Sequence, residues 1–246
     1  MHRYQILIEY VGTNFYGWQI QKKKITIQGT IENVLKKILR EKVKLYGSGR
    51  TDSKVHAFGQ SAHFDVKNRI ENIKKFYSTL NFFLNRKFIT VVEINKKPLS
   101  FHARYSAKKR IYKYLIHNRE SLPSIYRDRG WYVKKKLDIE LIKRASHFLK
   151  GTHDLSVFRA SNCSASSPVR TINSLIVKKK NDIIEIKIKS RSFLKQQVRS
   201  IVGCLKYVGE KKWTVNKFKK IVKSKNRNFC APPAPGTGLY LEKVIY

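Results

Sequence analysis

The chain alternates between two hydrophobic periods in a fixed order, and that order constrains its fold. Apolar residues first recur at every second position from Tyr4 to Tyr10, which predicts a half-buried strand. Thr26 then precedes apolar residues at helical spacing and is a predicted N-cap. A short strand at 43–46, a strand at about 55–66, a helix at about 70–80 and a strand at 88–94 follow. This β-α-β-β-α-β order is typical of a ferredoxin-like unit.

The second half of the chain also alternates between predicted strands and helices. A strand is predicted at about 103–117 and a helix after Asp138, followed by strands near 170–178 and 182–190. A helix over about 194–208, a shorter one after Thr214 and a strand at 238–246 complete the chain. We therefore expect an α+β fold of two ferredoxin-like halves, residues 1–100 and 101–246. Their antiparallel sheets are expected to pair around a central basic cleft, where substrates tend to bind.

The net charge predicts a polyanionic partner. The chain has 53 basic and 16 acidic residues, a formal net charge of +37. A membrane surface is the less favoured polyanion, because no apolar run approaches the length of a span, and Met1–Gln5 leads directly into a strand pattern and is not a signal peptide. Nucleic acid is therefore the expected partner. An AT-rich genome also produces many lysines, so the sign of the charge carries more weight than its size.

The cysteine pattern indicates a reduced, cytoplasmic chain. Cys163, Cys204 and Cys230 are far apart in the sequence and form no CxxC pair. The seven histidines are also dispersed, without a convincing metal-ligand spacing. We expect neither a metal nor a cofactor.

One carboxylate lies in a glycine-flanked loop among cations. Asp52 stands two residues after Arg50 in Gly-Ser-Gly-Arg-Thr-Asp-Ser-Lys-Val-His-Ala, residues 47–57. An arginine nearby favours the ionised carboxylate, which can then act as a nucleophile or a base. Thr-Asp-Ser segments also commonly stiffen turns, so a structural role for Asp52 stays open on these residues alone.

Several blocks of the sequence resemble the tRNA pseudouridine synthase A family, in the order of that family. The blocks span nearly the whole chain and are Glu9-Tyr10-Val11-Gly12-Thr13, Gly17-Trp18-Gln19, Gly49-Arg50-Thr51-Asp52-Ser53-Lys54-Val55-His56-Ala57, Phe101-His102-Ala103-Arg104, Arg110-Ile111-Tyr112-Lys113-Tyr114, Gly151-Thr152-His153-Asp154, Phe193-Leu194, Val198-Arg199-Ser200-Ile201-Val202-Gly203, Ala231-Pro232-Pro233-Ala234 and Gly238-Leu239-Tyr240-Leu241. There are departures: Ser53-Lys54 replaces the usual Ala-Gly, Val11 replaces an Asp, and Lys195-Gln196-Gln197 replaces a stretch with a His and a Met. The segment from Ala231 to Leu239 is also longer than usual.

The resemblance implies isomerisation of uridine to pseudouridine at positions 38, 39 and 40 of tRNA, in the anticodon arm. Asp52 would be the catalytic nucleophile, and Arg199 would pair with it, although Arg199 could instead contact phosphate. Arg50 would guide the extruded nucleotide or simply brace its loop. Tyr112 would stack on the target uracil, whereas strand tyrosines are more often core residues, and Leu239 would close the apolar side of the pocket. The resemblance also implies a homodimer. The alternative is a non-catalytic basic RNA-binding protein on the same scaffold.

Overall fold

The chain has a mixed α and β architecture, which confirms the α+β class. A computed structural model describes residues 1–246, which divide into two compact units. Unit 1 comprises Met1–Lys108 with Tyr240–Tyr246, and unit 2 comprises Lys109–Leu239. The ten strands are β1 (His2–Tyr10), β2 (Tyr46–Gly47), β3 (His56–Val66), β4 (Ile89–Lys97), β5 (Lys109–His117), β6 (Trp131–Tyr132), β7 (Gly151–Asp154), β8 (Val169–Lys180), β9 (Ile183–Ser190) and β10 (Leu239–Ile245). The five α-helices are α1 (Ile27–Leu39), α2 (Ile73–Leu84), α3 (Ile139–His147), α4 (Gln197–Gly209) and α5 (Val215–Ser224).

Unit 1 has the predicted β-α-β-β-α-β order. β1 lies between β4 and β3 and is antiparallel to both, while β2 and β10 pair with the other edge of β3. The alternating residues of β1 are buried as predicted, from Tyr4 at 1% exposure to Tyr10 at 3%. Thr26 is confirmed as the N-cap of α1, since its hydroxyl accepts a hydrogen bond from the Gly29 N–H at 3.3 Å.

The strand predicted at 43–46 is reduced to the two residues of β2. Side chains of α1 take the backbone hydrogen bonds that a strand ladder would need. The Leu45 N–H donates to the Glu32 carboxylate at 2.9 Å, and the Leu45 carbonyl accepts from the Gln28 amide at 3.1 Å. The apolar residues of this segment are buried against the core without pairing.

Helix α2 begins later than its apolar pattern predicts. Asn72 caps it by accepting the Lys75 N–H at 2.8 Å, and the helix then runs from Ile73 to Leu84. Ile70 lies outside the helix because its N–H donates to the Tyr4 hydroxyl at 3.0 Å.

Unit 2 contains a sheet in the order β5-β9-β8-β7, in which all neighbours are antiparallel, with the short β6 parallel to β5. The predicted cap of α3 is confirmed, and α5 begins after Thr214 as predicted, with Thr214 as its cap. Asp138 accepts the Leu141 N–H at 3.1 Å for α3, and Thr214 accepts the Lys217 N–H at 3.1 Å for α5. The strand predicted from residue 103 starts at Lys109.

The last strand returns to the first unit. β10 runs parallel to β3, with Tyr240 opposite His56 and Leu241 opposite Ala57. The chain therefore passes from one compact unit to the other twice, after Lys108 and after Leu239, whereas the sequence pattern divides it once, at residue 100. None of the helices combines the length and apolarity that crossing a membrane would require.

Candidate active site

The Asp52 loop joins β2 to β3 and is anchored through the preceding residue. Thr51 is buried, and its hydroxyl is 2.7 Å from the Tyr10 hydroxyl at the end of β1. The Thr51 carbonyl accepts the Trp18 N–H at 3.0 Å. These contacts hold the backbone beside Asp52, which is half-buried, while Arg50 is exposed. The loop thus presents a carboxylate from a fixed backbone.

Two glycines let the segment after β1 approach this loop closely. Gly17 has φ +87°, and a Cβ there would lie 2.7 Å from the Thr51 carbonyl oxygen. A Cβ on Gly12 would overlap the Val55 carbonyl oxygen. Both contacts are closer than a side chain allows, so only glycine fits at these positions.

Lys54 occupies a left-handed backbone position. Its φ is +65°, a conformation that glycine adopts without steric cost. The Phe15 carbonyl accepts both the Ser53 hydroxyl at 3.1 Å and the Lys54 N–H at 3.4 Å. The Val55 N–H closes the turn onto the Asp52 carbonyl at 3.2 Å. Lys54 stands where the usual Ala-Gly pair has its glycine, and it is the residue whose backbone adopts the unusual φ.

Tyr112 lies on β5, in unit 2, and is buried. It pairs with Ile188 of β9, and the Phe193 ring packs edge-on against it with centroids 5.1 Å apart and planes at 88°. This edge-to-face contact orients the Tyr112 ring. Arg110, two residues earlier, donates to the Arg191 carbonyl at 2.7 Å.

Arg199 lies in the first turns of α4 and is fixed by the segment that precedes β10. Its Nε donates to the Ala234 carbonyl at 2.7 Å, and its own carbonyl accepts the Ala234 N–H at 3.0 Å. Leu239, the first residue of β10, is buried. The Tyr114 hydroxyl donates to the Pro235 carbonyl at 2.8 Å, which ties the same segment to β5. Burial raises the pKa of Tyr114 well above its usual value, and the Arg199 charge opposes that shift.

Two other carboxylates have structural partners. Arg3 binds Asp65 through two hydrogen bonds of 2.7 Å, and this contact lowers the pKa of Asp65. The Ser156 hydroxyl and N–H both donate to Asp154 and lower its pKa. These two acids stabilise the fold locally. No group of three or more His, Cys, Asp or Glu side chains is arranged to hold a metal ion.

The structure places the predicted site residues in both units. Asp52 and Arg50 belong to unit 1, whereas Tyr112, Arg199 and Leu239 belong to unit 2. The pairing of Asp52 with Arg199 stays a prediction.

Two supporting residues are not identified by the sequence patterns. The alternation of β1 assigns Tyr10 only to the core, although it holds Thr51, and Ala234 holds Arg199 through backbone atoms. Both lie inside the motif blocks, which are the one sequence signal that points to them.

Comparison with known proteins gives a family for this architecture. A family model described as tRNA pseudouridine synthase matches residues 6–106 and 145–246. The chain is 58% identical to the tRNA pseudouridine synthase A of Pelagibacter ubique (strain HTCC1062), over the whole of both chains. It is 43% identical to the protein of that name in Thermoanaerobacter sp. (strain X514), and 41% identical to the one in Xanthobacter autotrophicus (strain ATCC BAA-1158 / Py2). Both matches also cover each chain completely.

Proposed function

This chain belongs to the tRNA pseudouridine synthase family, and from that premise we propose that it isomerises uridine to pseudouridine at positions 38, 39 and 40 of tRNA. Asp52 is the proposed nucleophile. The observation that carries the proposal is the 58% identity, over the full length of both chains, to a protein named tRNA pseudouridine synthase A. Asp52, Arg50, Tyr112 and Arg199 all lie in the sequence blocks that resemble the motifs of this family.

The reaction conserves every atom of the nucleotide. The bond between N1 of uracil and C1′ of ribose breaks, a bond between C5 and C1′ forms, C5 loses its proton and N1 gains one. Asp52 attacks C6 of the uracil or C1′ of the sugar, or assists departure of the base. Each route needs an anionic carboxylate held at a fixed place. The contacts of Thr51 with Tyr10 and Trp18 support that requirement.

The remaining site residues are proposed to complete a pocket between two ferredoxin-like halves, in a central basic cleft. Arg199 pairs with Asp52 and orients its carboxylate, and the Ala234 carbonyl fixes the direction of the guanidinium. Tyr112 stacks on the uracil, and its hydroxyl is a candidate to remove the C5 proton. Leu239 closes the apolar side, and Arg50 guides the extruded nucleotide.

Positive charge is proposed to hold the tRNA while its target base leaves the stack. Extruding a base costs a few kcal/mol, and less in a loop or at the end of a stem than inside a duplex. Lysine and arginine contacts with phosphates offset that cost, so binding should weaken steeply with salt. We further propose that the protein acts in the cytoplasm as a homodimer.

The alternative function is RNA binding without catalysis, on the same scaffold. The charge of +37 and the left-handed Lys54 beside Asp52 favour it. RNA binding alone requires neither a retained carboxylate in a buttressed loop nor an oriented Arg199. Catalysis is therefore the proposal we prefer.

Tritium release from tRNA labelled at C5 of uridine tests this proposal. The unaltered protein should release tritium, and Asp52→Asn should release none. Asp65→Asn is the matched control, because it removes a carboxylate that binds Arg3 and should leave release largely intact. Substrates with uridine at only one of positions 38, 39 and 40 test the target sites. If Asp52→Asn released as much tritium as the unaltered protein, Asp52 would not be the nucleophile. If the unaltered protein released no tritium from any tRNA, the alternative of RNA binding without catalysis would be favoured.

A further inference from the structure

Two cysteines far apart in the sequence are in contact within unit 2. The Cys204 and Cys230 sulfur atoms are 3.4 Å apart, and all three cysteines of the chain are free thiols. Cys204 lies in the middle of α4 and is fully buried, whereas Cys230 follows a short 3₁₀ turn, Arg227–Phe229, and is half-buried. Cys230 is therefore the more accessible of the two thiols.

We propose that Cys204 and Cys230 form a site of reversible oxidation, at which a peroxide converts the two thiols into a disulfide and thereby slows the enzyme. The disulfide stands on the geometry of unit 2 alone. The effect on rate rests on the proposed function, through the role of Arg199.

The surroundings make Cys230 the attacking thiol. The hydrogen-bonded contact with the Cys204 sulfur lowers the pKa of Cys230, and the positive charge of the Arg227 guanidinium lowers it further. The same hydrogen bond and burial raise the pKa of Cys204, which stays protonated. A partly exposed thiol with a lowered pKa, next to a second thiol, is the usual arrangement of a peroxide-reactive cysteine.

The chemistry balances with hydrogen peroxide as the only co-reactant. The Cys230 thiolate attacks one oxygen of the peroxide, so that an S–O bond forms, the O–O bond breaks and hydroxide leaves. The Cys204 sulfur then attacks the resulting sulfenic sulfur, which forms the S–S bond and breaks the S–O bond. The departing hydroxide takes the Cys204 proton. Two thiols lose two electrons, and one peroxide becomes two waters.

A disulfide must shorten this contact and move the chain beside Arg199. The S–S bond is about 2.05 Å long, so the sulfur atoms must approach by more than about 1 Å. Helix α4 is buried, and a Cβ on its Gly203 would overlap the Pro232 carbonyl oxygen. The segment from Cys230 to Ala234 belongs to no helix or strand, so it lacks the backbone hydrogen bonds that keep α4 rigid, and we expect it to adjust more readily than the helix. Ala234 holds Arg199 by two hydrogen bonds, so that adjustment reaches the guanidinium.

Peroxide treatment of the full chain tests the proposal. Non-reducing peptide mass spectrometry should find Cys204 linked to Cys230, with a loss of two hydrogens. Tritium release should fall about tenfold in kcat and recover with dithiothreitol, because displacements of about 1 Å at a site have effects of this size or larger. Cys230→Ser and Cys204→Ser should keep their initial rate in peroxide.

Cys163→Ser is the matched control, because Cys163 is also half-buried but its sulfur accepts a hydrogen bond from the Lys195 N–H rather than from a thiol. It should form the Cys204–Cys230 link and lose activity like the unaltered chain. Absence of the link in excess peroxide would overturn the site. Full linkage with an unchanged rate would overturn its effect on Arg199. A chain that releases no tritium even when reduced would contradict the proposed function, and the linkage would still decide the site.

Discussion

Acidification should destabilise unit 1 through one buried histidine. His63 on β3 is 1% exposed, its ring stacks on Tyr46 with centroids 5.0 Å apart, and its Nδ1 accepts the Ala103 N–H at 3.1 Å. Burial lowers the pKa of His63 to about 4, and the positive charges of Arg3 and His102 add to the shift. Between pH 6.5 and about 4, His63 is therefore neutral in the folded protein while an unfolded histidine is already protonated.

The sign and size of the effect follow from proton linkage. The unfolded pKa of histidine is 6.5, so between pH 6.5 and about 4 the unfolded chain binds a proton that the folded chain does not. The free energy of unfolding therefore falls as the pH falls through this window. For these two pKa values the loss from pH 7 to pH 5 is about 2 kcal/mol.

Urea unfolding at pH 7 and pH 5 measures this loss. Trp18 is the one tryptophan of unit 1, so a Trp131→Phe, Trp213→Phe background makes fluorescence report on that unit. His63→Asn retains an acceptor near the position of Nδ1 and cannot be protonated. The variant retains every other titrating group, so the chain with His63 should lose about 2 kcal/mol more than the variant. Equal losses in the two proteins would refute the reasoning.

Three further substitutions test how the site is supported. Lys54→Gly should stabilise the protein by about 1 kcal/mol in thermal unfolding, because φ +65° strains a side chain but not glycine. Tyr10→Phe should cost about 1–2 kcal/mol, since it removes the hydroxyl partner of the buried Thr51, and it should lower kcat for tritium release more than it raises KM. Gly203→Ala should destabilise by more than about 1 kcal/mol and reduce kcat, because its Cβ would push against the Pro232 carbonyl; an unchanged melting temperature would contradict this packing.

Features governed by local chemistry can be predicted from the amino-acid sequence. A capping side chain acts within three residues, so the roles of Thr26, Asp138 and Thr214 follow from the residues around them. The period of β1 is equally clear, because one face of that strand is buried and the other is not.

Features governed by distant partners cannot be predicted in this way. The segment before β2 has the pattern of a strand, yet Gln28 and Glu32 of α1 occupy the backbone groups of Leu45. The return of β10 to β3 depends on pairing across most of the chain, and no local pattern encodes it. The contact of Cys204 with Cys230 is of the same kind, since only the packing of α4 brings the two thiols together.

The candidate site combines both kinds of feature, and this explains how the loop can retain its shape despite Lys54. The motif identifies Asp52, but the backbone around it is set by contacts from a separate segment: Trp18 on one side and the Phe15 carbonyl on the other. Lys54 is the one residue of 47–57 with a positive φ, and its strain of about 1–2 kcal/mol persists because those contacts fix the turn. Replacing the usual glycine there should thus lower the stability of the fold while leaving the carboxylate in place. Phe15 and Trp18 hold the loop through backbone groups, and their own buried side chains set the position of that backbone. Truncating either side chain, rather than replacing Lys54, should therefore misplace Asp52.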